Sequence, residues 1–262
     1  MTVLSSKIIL QRILKGLEGM SHFNEIEKEL SPEAKVNKFF ENFEIEKQDI
    51  RNIAKNCQNI SMDEKKLKSK NNELPILFNS IDFKGFRPAN YDLRLGNEFF
   101  VSREKHPKRL SETDPYVVIE PGDFAILTTL EYIYVPDDLL GLISLRNSYK
   151  KYGLINISGF HVDPGYCGKL MFSVYNAGPE KVLLKYKEPV FMIMYDKLEE
   201  PALKGYDKEG FENITVDLVS GLIGHSVSPV RLKARIDSLE MQLRILMAIG
   251  IAVVVARFAK VI

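Results

Sequence analysis

The chain has 262 residues, 36 basic and 35 acidic, for a formal net charge of +1, and is 45% hydrophobic and 27% charged. That is the balance of a globular protein with a real core, without the broad basic field that wraps nucleic acid. Cys57 and Cys167 offer no disulfide framework, and His22, His106, His161 and His225 are too scattered for a structural zinc site. The N-terminus lacks the charged-then-apolar order of a secretory leader, so a reducing, cytoplasmic setting is expected.

Residues 1–20 carry Val3, Leu4, Ile8, Ile9, Ile13, Leu14 and Leu17 at helical spacing, with Ser5 or Ser6 as N-cap. This predicts a first helix belonging to the core domain. Over residues 21–73 Glu, Lys and Asn dominate, and Ser31-Pro32-Glu33 reads as a cap with proline in the first turn. The expectation there is a two- or three-helix insertion ending in a charged link, Asp63–Glu73, that serves as a solvated lid or a surface for a protein partner.

Residues 74–200 change to strand chemistry. Asn90–Val101, Tyr116–Glu120, Phe124–Thr129, Tyr132–Val135, Leu140–Leu145, Leu170–Tyr175, Val182–Tyr186 and Val190–Tyr195 are rich in Val, Ile, Tyr and Phe and broken by Pro or Gly. So many strands without intervening helices predict a mainly β domain, a barrel or jelly roll. Residues 201–230 read as a connector holding one more possible strand, Ile214–Val219.

Residues 231–262 read as a C-terminal stem. Leu232, Ile236, Leu239, Leu243 and Leu246 follow a 4-3-4-3 spacing, a coiled-coil seam. After Arg244 the outward positions also turn apolar, from Met247 through Ala256. A helix apolar all round is buried or in lipid. Two readings stand: a short membrane anchor over Ile245–Ile262, about 27 Å long at 1.5 Å per residue, or a stem buried in an oligomer.

The stretch richest in chemistry is Gly153–Gly178, where two strands flank the reversal Asp163-Pro164-Gly165 and Tyr166 follows the carboxylate. Asp163 has the chemistry of a general base, and it is also an ordinary turn-former. Asp92 sits inside a strand, where a carboxylate needs partners such as Arg94 or another strand's arginine. Arg146 offers a donor fork, Ser148 a hydroxyl and Lys151 a point charge, a set suited to phosphate oxygens.

Four separated stretches resemble the trimeric dUTPase/dCTP deaminase superfamily. Ala89–Gly96 resembles its first motif, Leu145–Ser148 with Tyr152–Leu154 its second, Gly159–Asn176 its third, and Glu188–Tyr195 stands where the fourth belongs. The resemblance implies a dUTPase-like β-barrel, a homotrimer with sites between subunits, and a pyrimidine deoxynucleoside triphosphate, dUTP or dCTP, as ligand. It further implies Asp163 as base, Tyr166 packed against the deoxyribose, and Gly159, Phe160 and His161 reading the base edge through their backbone. Arg146, Asn147, Ser148 and Lys151 would contact the phosphates, and Asp92 would support a Mg²⁺-bound water.

Departures from the pattern bear on the reaction. Where the deaminases carry a glutamate beside the ring, counted from Asp163, this chain has Ser173, which cannot shuttle protons as a carboxylate does. On the hydrolytic side, Asn147 replaces a serine, Met192 replaces a glutamine, and no glycine-rich closing arm is evident. Hydrolysis of dUTP is the leading expectation. Deamination of dCTP and a non-catalytic, membrane-anchored nucleotide sensor or scaffold are the alternatives.

Overall fold

A computed structural model describes residues 2–17, 46–206, 210–222 and 229–259. Helix α1 (Ser6–Leu17) buries Ile9, Ile13 and Leu17, the stripe that the 3.6-residue period predicts. Helix α2 (Lys47–Gln58) follows, with Ile50 and Ala54 buried, and then α3 (Met62–Lys70). The β domain comprises β1 (Leu77–Phe78), β2 (Phe86–Arg87), β3 (Asn90–Val101), β4 (Lys108–Arg109), β5 (Tyr116–Ile119), β6 (Phe124–Tyr134) and β7 (Leu139–Leu145). A one-turn helix α4 (Asn147–Lys150) precedes β8 (Leu154–Asn156), β9 (His161–Val162), β10 (Cys167–Asn176), β11 (Val182–Lys185) and β12 (Pro189–Lys197). Short α5 (Val216–Val219) and long α6 (Pro229–Ala259) end the described chain.

The fold is the expected mainly β one. Ten strands form one antiparallel sheet whose main path runs β8-β10-β6-β3-β12-β7-β9, and β5 pairs with β11 apart from it. The two ends of that path, β8 and β9, are joined by only four residues, 157–160. Laid flat, the seven strands would hold those ends about 29 Å apart at ~4.8 Å per strand, whereas the link reaches at most about 17 Å. The sheet therefore curls until its edges meet. Ile157 N donates to Ser173 O at 2.8 Å and Ile143 N to Phe160 O at 2.8 Å, fastening the link to both sides. Inside the curl Phe172 stacks on Phe191, ring centroids 3.9 Å apart.

The segment expected as a charged link is helix α3 instead. Ser61 caps it by accepting from Glu64 N, Asp63 and Glu64 lie in its first turn and Lys68 and Lys70 in its last, so its charges complement the helix dipole. It is not a spacer, since Ser69 Oγ donates to Asp138 at 2.9 Å and Lys65 pairs with Asp137. The possible strand Ile214–Val219 is also helical in part, because Thr215 caps α5 by accepting from Leu218 N. The Ser31-Pro32-Glu33 cap lies outside the described residues.

Arg12 on α1 is fully buried and forks onto Asp138, with both nitrogen–oxygen distances 2.8 Å. It also donates to Asn72 Oδ1 at 2.9 Å. Lys197 at the end of β12 reaches Ser69 O at 2.7 Å and Asn72 Oδ1 at 3.1 Å, so α1, α3, the β6–β7 turn and β12 meet at one polar hub.

The apolar seam of α6 (Leu232, Ile236, Leu239, Leu243, Leu246) is exposed along its length, as are Met247, Ile249 and Ile251. Among the described residues no helix is long and apolar enough to cross a membrane, so the expected anchor gains no support. The physical reason is the one visible in the sequence: the uninterrupted apolar run ends at Ala256, before Arg257.

Asp138→Ala leaves the Arg12 guanidinium buried without its counter-charge, and should cost about 3–5 kcal/mol. A urea titration should show the midpoint falling accordingly, and Arg12→Leu/Asp138→Leu together should recover most of the loss. A midpoint unchanged in the single variant would show that the hub does not carry stability.

Candidate active site

The third-motif turn is built by backbone. Gly165 adopts φ +82°, its N–H donates to Val135 O at 2.8 Å, and Val135 N returns a bond to Tyr166 O at 2.9 Å. A Cβ on Gly165 would stand 2.8 Å from Tyr206 N, so glycine is required both by the dihedral and by the chain crossing over it. That crossing chain is a strap formed by residues 202–206 and 210–214. Tyr206 N donates to Pro164 O at 2.7 Å and Lys169 N to Phe211 O at 2.8 Å. The strap lies on the outside of the turn, and a Cβ on Gly168 would meet Gly210 Cα at 2.7 Å.

Between the turn, the strap and β7 lies a cavity of about 180 Å³. Ser158, Gly159, His161, Asp163 and Tyr166 line it, joined by Tyr206 and Phe211 from the strap. Tyr166 is buried, and its ring forms a wall 5.2 Å from that of Tyr206. Its hydroxyl is already committed, donating to Lys169 O and accepting from Phe211 N at 3.3 Å. Burial pushes the Tyr166 phenol well above its ordinary range, so it remains neutral and serves as a surface. Asp163 is half exposed, with His161 Nε2 3.5 Å from its Oδ1. Phe160 points outward, 68% exposed, while its carbonyl accepts from Ile143.

The expected phosphate residues lie elsewhere. Strands β7 and β9 pair with Gly141 opposite Val162 and Leu142 opposite His161. Continued by one step, that register sets Asp163 beside Leu140, six residues along β7 from Arg146, about 20 Å at ~3.3 Å per residue. Within one chain the structure brings together Gly159, His161, Asp163 and Tyr166 around one cavity and sets Asp163 far along β7 from Arg146, while Gly159, next to the Phe160 carbonyl that accepts from Ile143, lies on the Arg146 side of it.

At that second place Asp92 organises the cations. It is buried on β3, with Oδ1 accepting from Asn90 Nδ2 at 3.1 Å and Oδ2 from Arg87 Nε at 2.9 Å. Arg146 Nε lies 3.3 Å from the same Oδ2, and its Nη1 donates to Pro189 O at 3.2 Å. Asn147 and Ser148 are exposed in the first turn of α4, Lys150 Nζ donates to Ser144 Oγ at 2.7 Å, and Lys151 Nζ stands 5.0 Å from the Tyr152 ring. The partner suggested by the sequence, Arg94, is taken by Glu131 at 2.8 Å. Both oxygens of Asp92 are engaged by these side chains, which suits it to orienting Arg146. Among the described residues no group of three or more His, Cys, Asp or Glu could hold a metal.

A family model described as dCTP deaminase-like matches residues 61–198, more than half of the chain. The chain belongs to the dCTP deaminase-like family. Among curated relatives of this dCTP deaminase-like protein, the dCTP deaminase of Pyrococcus horikoshii is 37% identical over 131 residues, 50% of this chain and 81% of that protein. The "dCTP deaminase, dUMP-forming" of Methanothermobacter thermautotrophicus is 31% identical over 136 residues, 46% of this chain and 69% of that one. Of solved structures, a dCTP deaminase from Agrobacterium tumefaciens aligns with TM-score 0.38 at 18% identity, covering 44% of this chain and 42% of that one. A dUTPase of Staphylococcus bacteriophage 80alpha aligns with TM-score 0.35 at 15% identity, covering 51% and 97%.

Sequence reasoning missed Arg87, Asn90, Tyr206 and Phe211. Arg87 and Asn90 were within reach, since Phe86-Arg87-Pro88-Ala89-Asn90 is a tight hairpin that folds an arginine back onto Asp92. Tyr206 and Phe211 arrive on an irregular segment whose path carries no periodic signal. Asp92→Asn should weaken the hold on both arginines and cost about 1–3 kcal/mol. Thermal unfolding at neutral pH should register that loss, and an unchanged Tm would mean that Asp92 does not anchor them.

Proposed function

We propose that this protein binds a pyrimidine deoxynucleoside triphosphate in sites completed between copies of the chain, and hydrolyses it to the monophosphate and diphosphate. The observation that carries this reading is the division of the site. Asp163 falls by register beside Leu140, about 20 Å along β7 from Arg146, so in this reading a ligand held by both takes one half from each of two copies. Tyr152, Ile155, Ile157 and Phe160, on the segment between the halves, are all exposed, an apolar surface that a neighbouring copy would cover. A homotrimer is the arrangement this reading adopts, with the exposed α6 seams twisted together as its stem.

In this mechanism the base and sugar enter the cavity, where the Tyr166 ring fills the space at the sugar's 2′ side. Arg146, aimed by Asp92, forks onto phosphate oxygens, and Ser148 and Asn147 add neutral donors. Asp163, half in water at the cavity mouth, accepts a proton from a water whose oxygen attacks the α-phosphorus. The bond to the β-phosphate oxygen breaks, and diphosphate leaves. A divalent ion would arrive on the triphosphate as part of the substrate.

Ser173 supports hydrolysis over deamination. It stands on β10, paired with Ile126, and a hydroxyl does not supply the proton shuttle that attack at C4 of cytosine needs. Family membership and the names of the relatives favour the second reading, deamination of dCTP. Forming dUMP from dCTP removes both the amine and diphosphate, so in those relatives a similar sequence accompanies both losses.

Purified protein should release diphosphate from dUTP, and Asp163→Ala should lower that rate by about 10²-fold or more. Co-refolded Arg146→Ala and Asp163→Ala chains, each inactive alone, should regain roughly a quarter of the sites when mixed at random. Ammonia from dCTP would move the assignment to the deaminase, tight dUTP binding without turnover would leave a sensor, and failure of the mixture to recover would overturn the shared site.

A further inference from the structure

A second cavity, about 540 Å³, opens on the other side of the Gly165 turn, between α2 and the strap. We propose that it is a separate binding site for a phosphorylated small molecule. Its volume lies in the range of small-molecule pockets. One wall is a single face of α2, where Gln48, Arg51, Lys55 and Gln58 recur at 3-4-3 spacing and all line the space. The facing wall holds Tyr132, Tyr206 and Glu212. Neither Asp163 nor Arg146 contributes, and α2 lies outside the part of the chain that the family model matches.

Charge and pre-organisation select the ligand. Among the described residues two cations face one carboxylate. Arg51 is fixed by donating from Nε to Tyr132 Oη at 3.0 Å and by pairing with Glu212, and its guanidinium plane lies 5.5 Å from the Tyr132 ring. Lys55, one turn further along the same face, is exposed and makes no ion pair among the described residues. A guanidinium already held in place and an exposed ammonium one turn away form a clamp for a phosphate, while Tyr206 offers an aromatic face for whatever the phosphate is attached to. Gln58 is fixed as well, donating to Gly165 O at 3.0 Å, so the helix face is tied to the floor of the cavity. The site does not depend on which reaction the first cavity performs.

The test uses full-length protein titrated calorimetrically with AMP, whose purine suits the larger cavity, and with adenosine. AMP should bind about once per chain, and adenosine roughly tenfold or more weakly. Lys55→Glu should weaken AMP by a similar factor, since this side chain is exposed and makes no ion pair among the described residues. Arg146→Ala and Asp163→Ala should bind AMP as the parent does. No AMP binding at roughly millimolar concentration, equal affinity in Lys55→Glu, or loss of AMP binding in Arg146→Ala would each overturn the proposal.

Discussion

A buried guanidinium is tolerable only when its charge is answered locally, and Arg12 is answered from two parts of the chain at once. Asp138 supplies both carboxylate oxygens, and Asn72 supplies a third acceptor. Once that fork forms, α1 is fixed against the β6–β7 turn, Ser69 brings α3 to the same carboxylate, and Lys197 adds the end of β12. Hydrophobic burial sets how strongly these elements associate, but it is non-directional. The ion pair sets their register, since a guanidinium shifted by one helical turn would be left without a counter-charge. The Asp163–Tyr166 turn follows β7 and β9 in the chain, so the position of the first cavity is inherited from this hub.

The same logic explains why the two halves of the candidate site are each rigid. The cavity half is held by backbone: positive φ at Gly165, exchange with Val135, and a strap pressed against glycine. The Arg146 half is held by charge, with one buried carboxylate fixing two arginines. Neither depends on a ligand for its shape, as a site that stabilises a transition state requires.

The strands were legible because each is a short run of β-branched and aromatic residues between Gly or Pro, and burial on this sheet follows that pattern. Phe124–Thr129 and Tyr132–Val135 merged into one strand because Glu131, polar enough to suggest a break, is satisfied inside by Arg94. Asp163 and Tyr166 were legible from the turn chemistry around them. Their separation from Arg146 was not, because closeness in sequence says nothing about strand register. Nor was the hub, since Arg12 sits on an apolar helix face and its partner is 126 positions away.

Leu4 N donates to Tyr195 O at 2.9 Å and Lys197 N to Thr2 O at 3.1 Å, so the first residues dock against the last strand of the sheet. During synthesis this has a temporal meaning. Helix α1 is made before its counter-charge, with Ile9, Ile13 and Leu17 on one face and a lone arginine among them, and the bonds that fasten Thr2 and Leu4 wait until β12 has been made. Until Asp138 is made, that arginine is without its counter-charge. The domain therefore closes late, by contacts of very large sequence separation, in the slow regime where an exposed apolar helix is open to capture by chaperones or by other nascent chains.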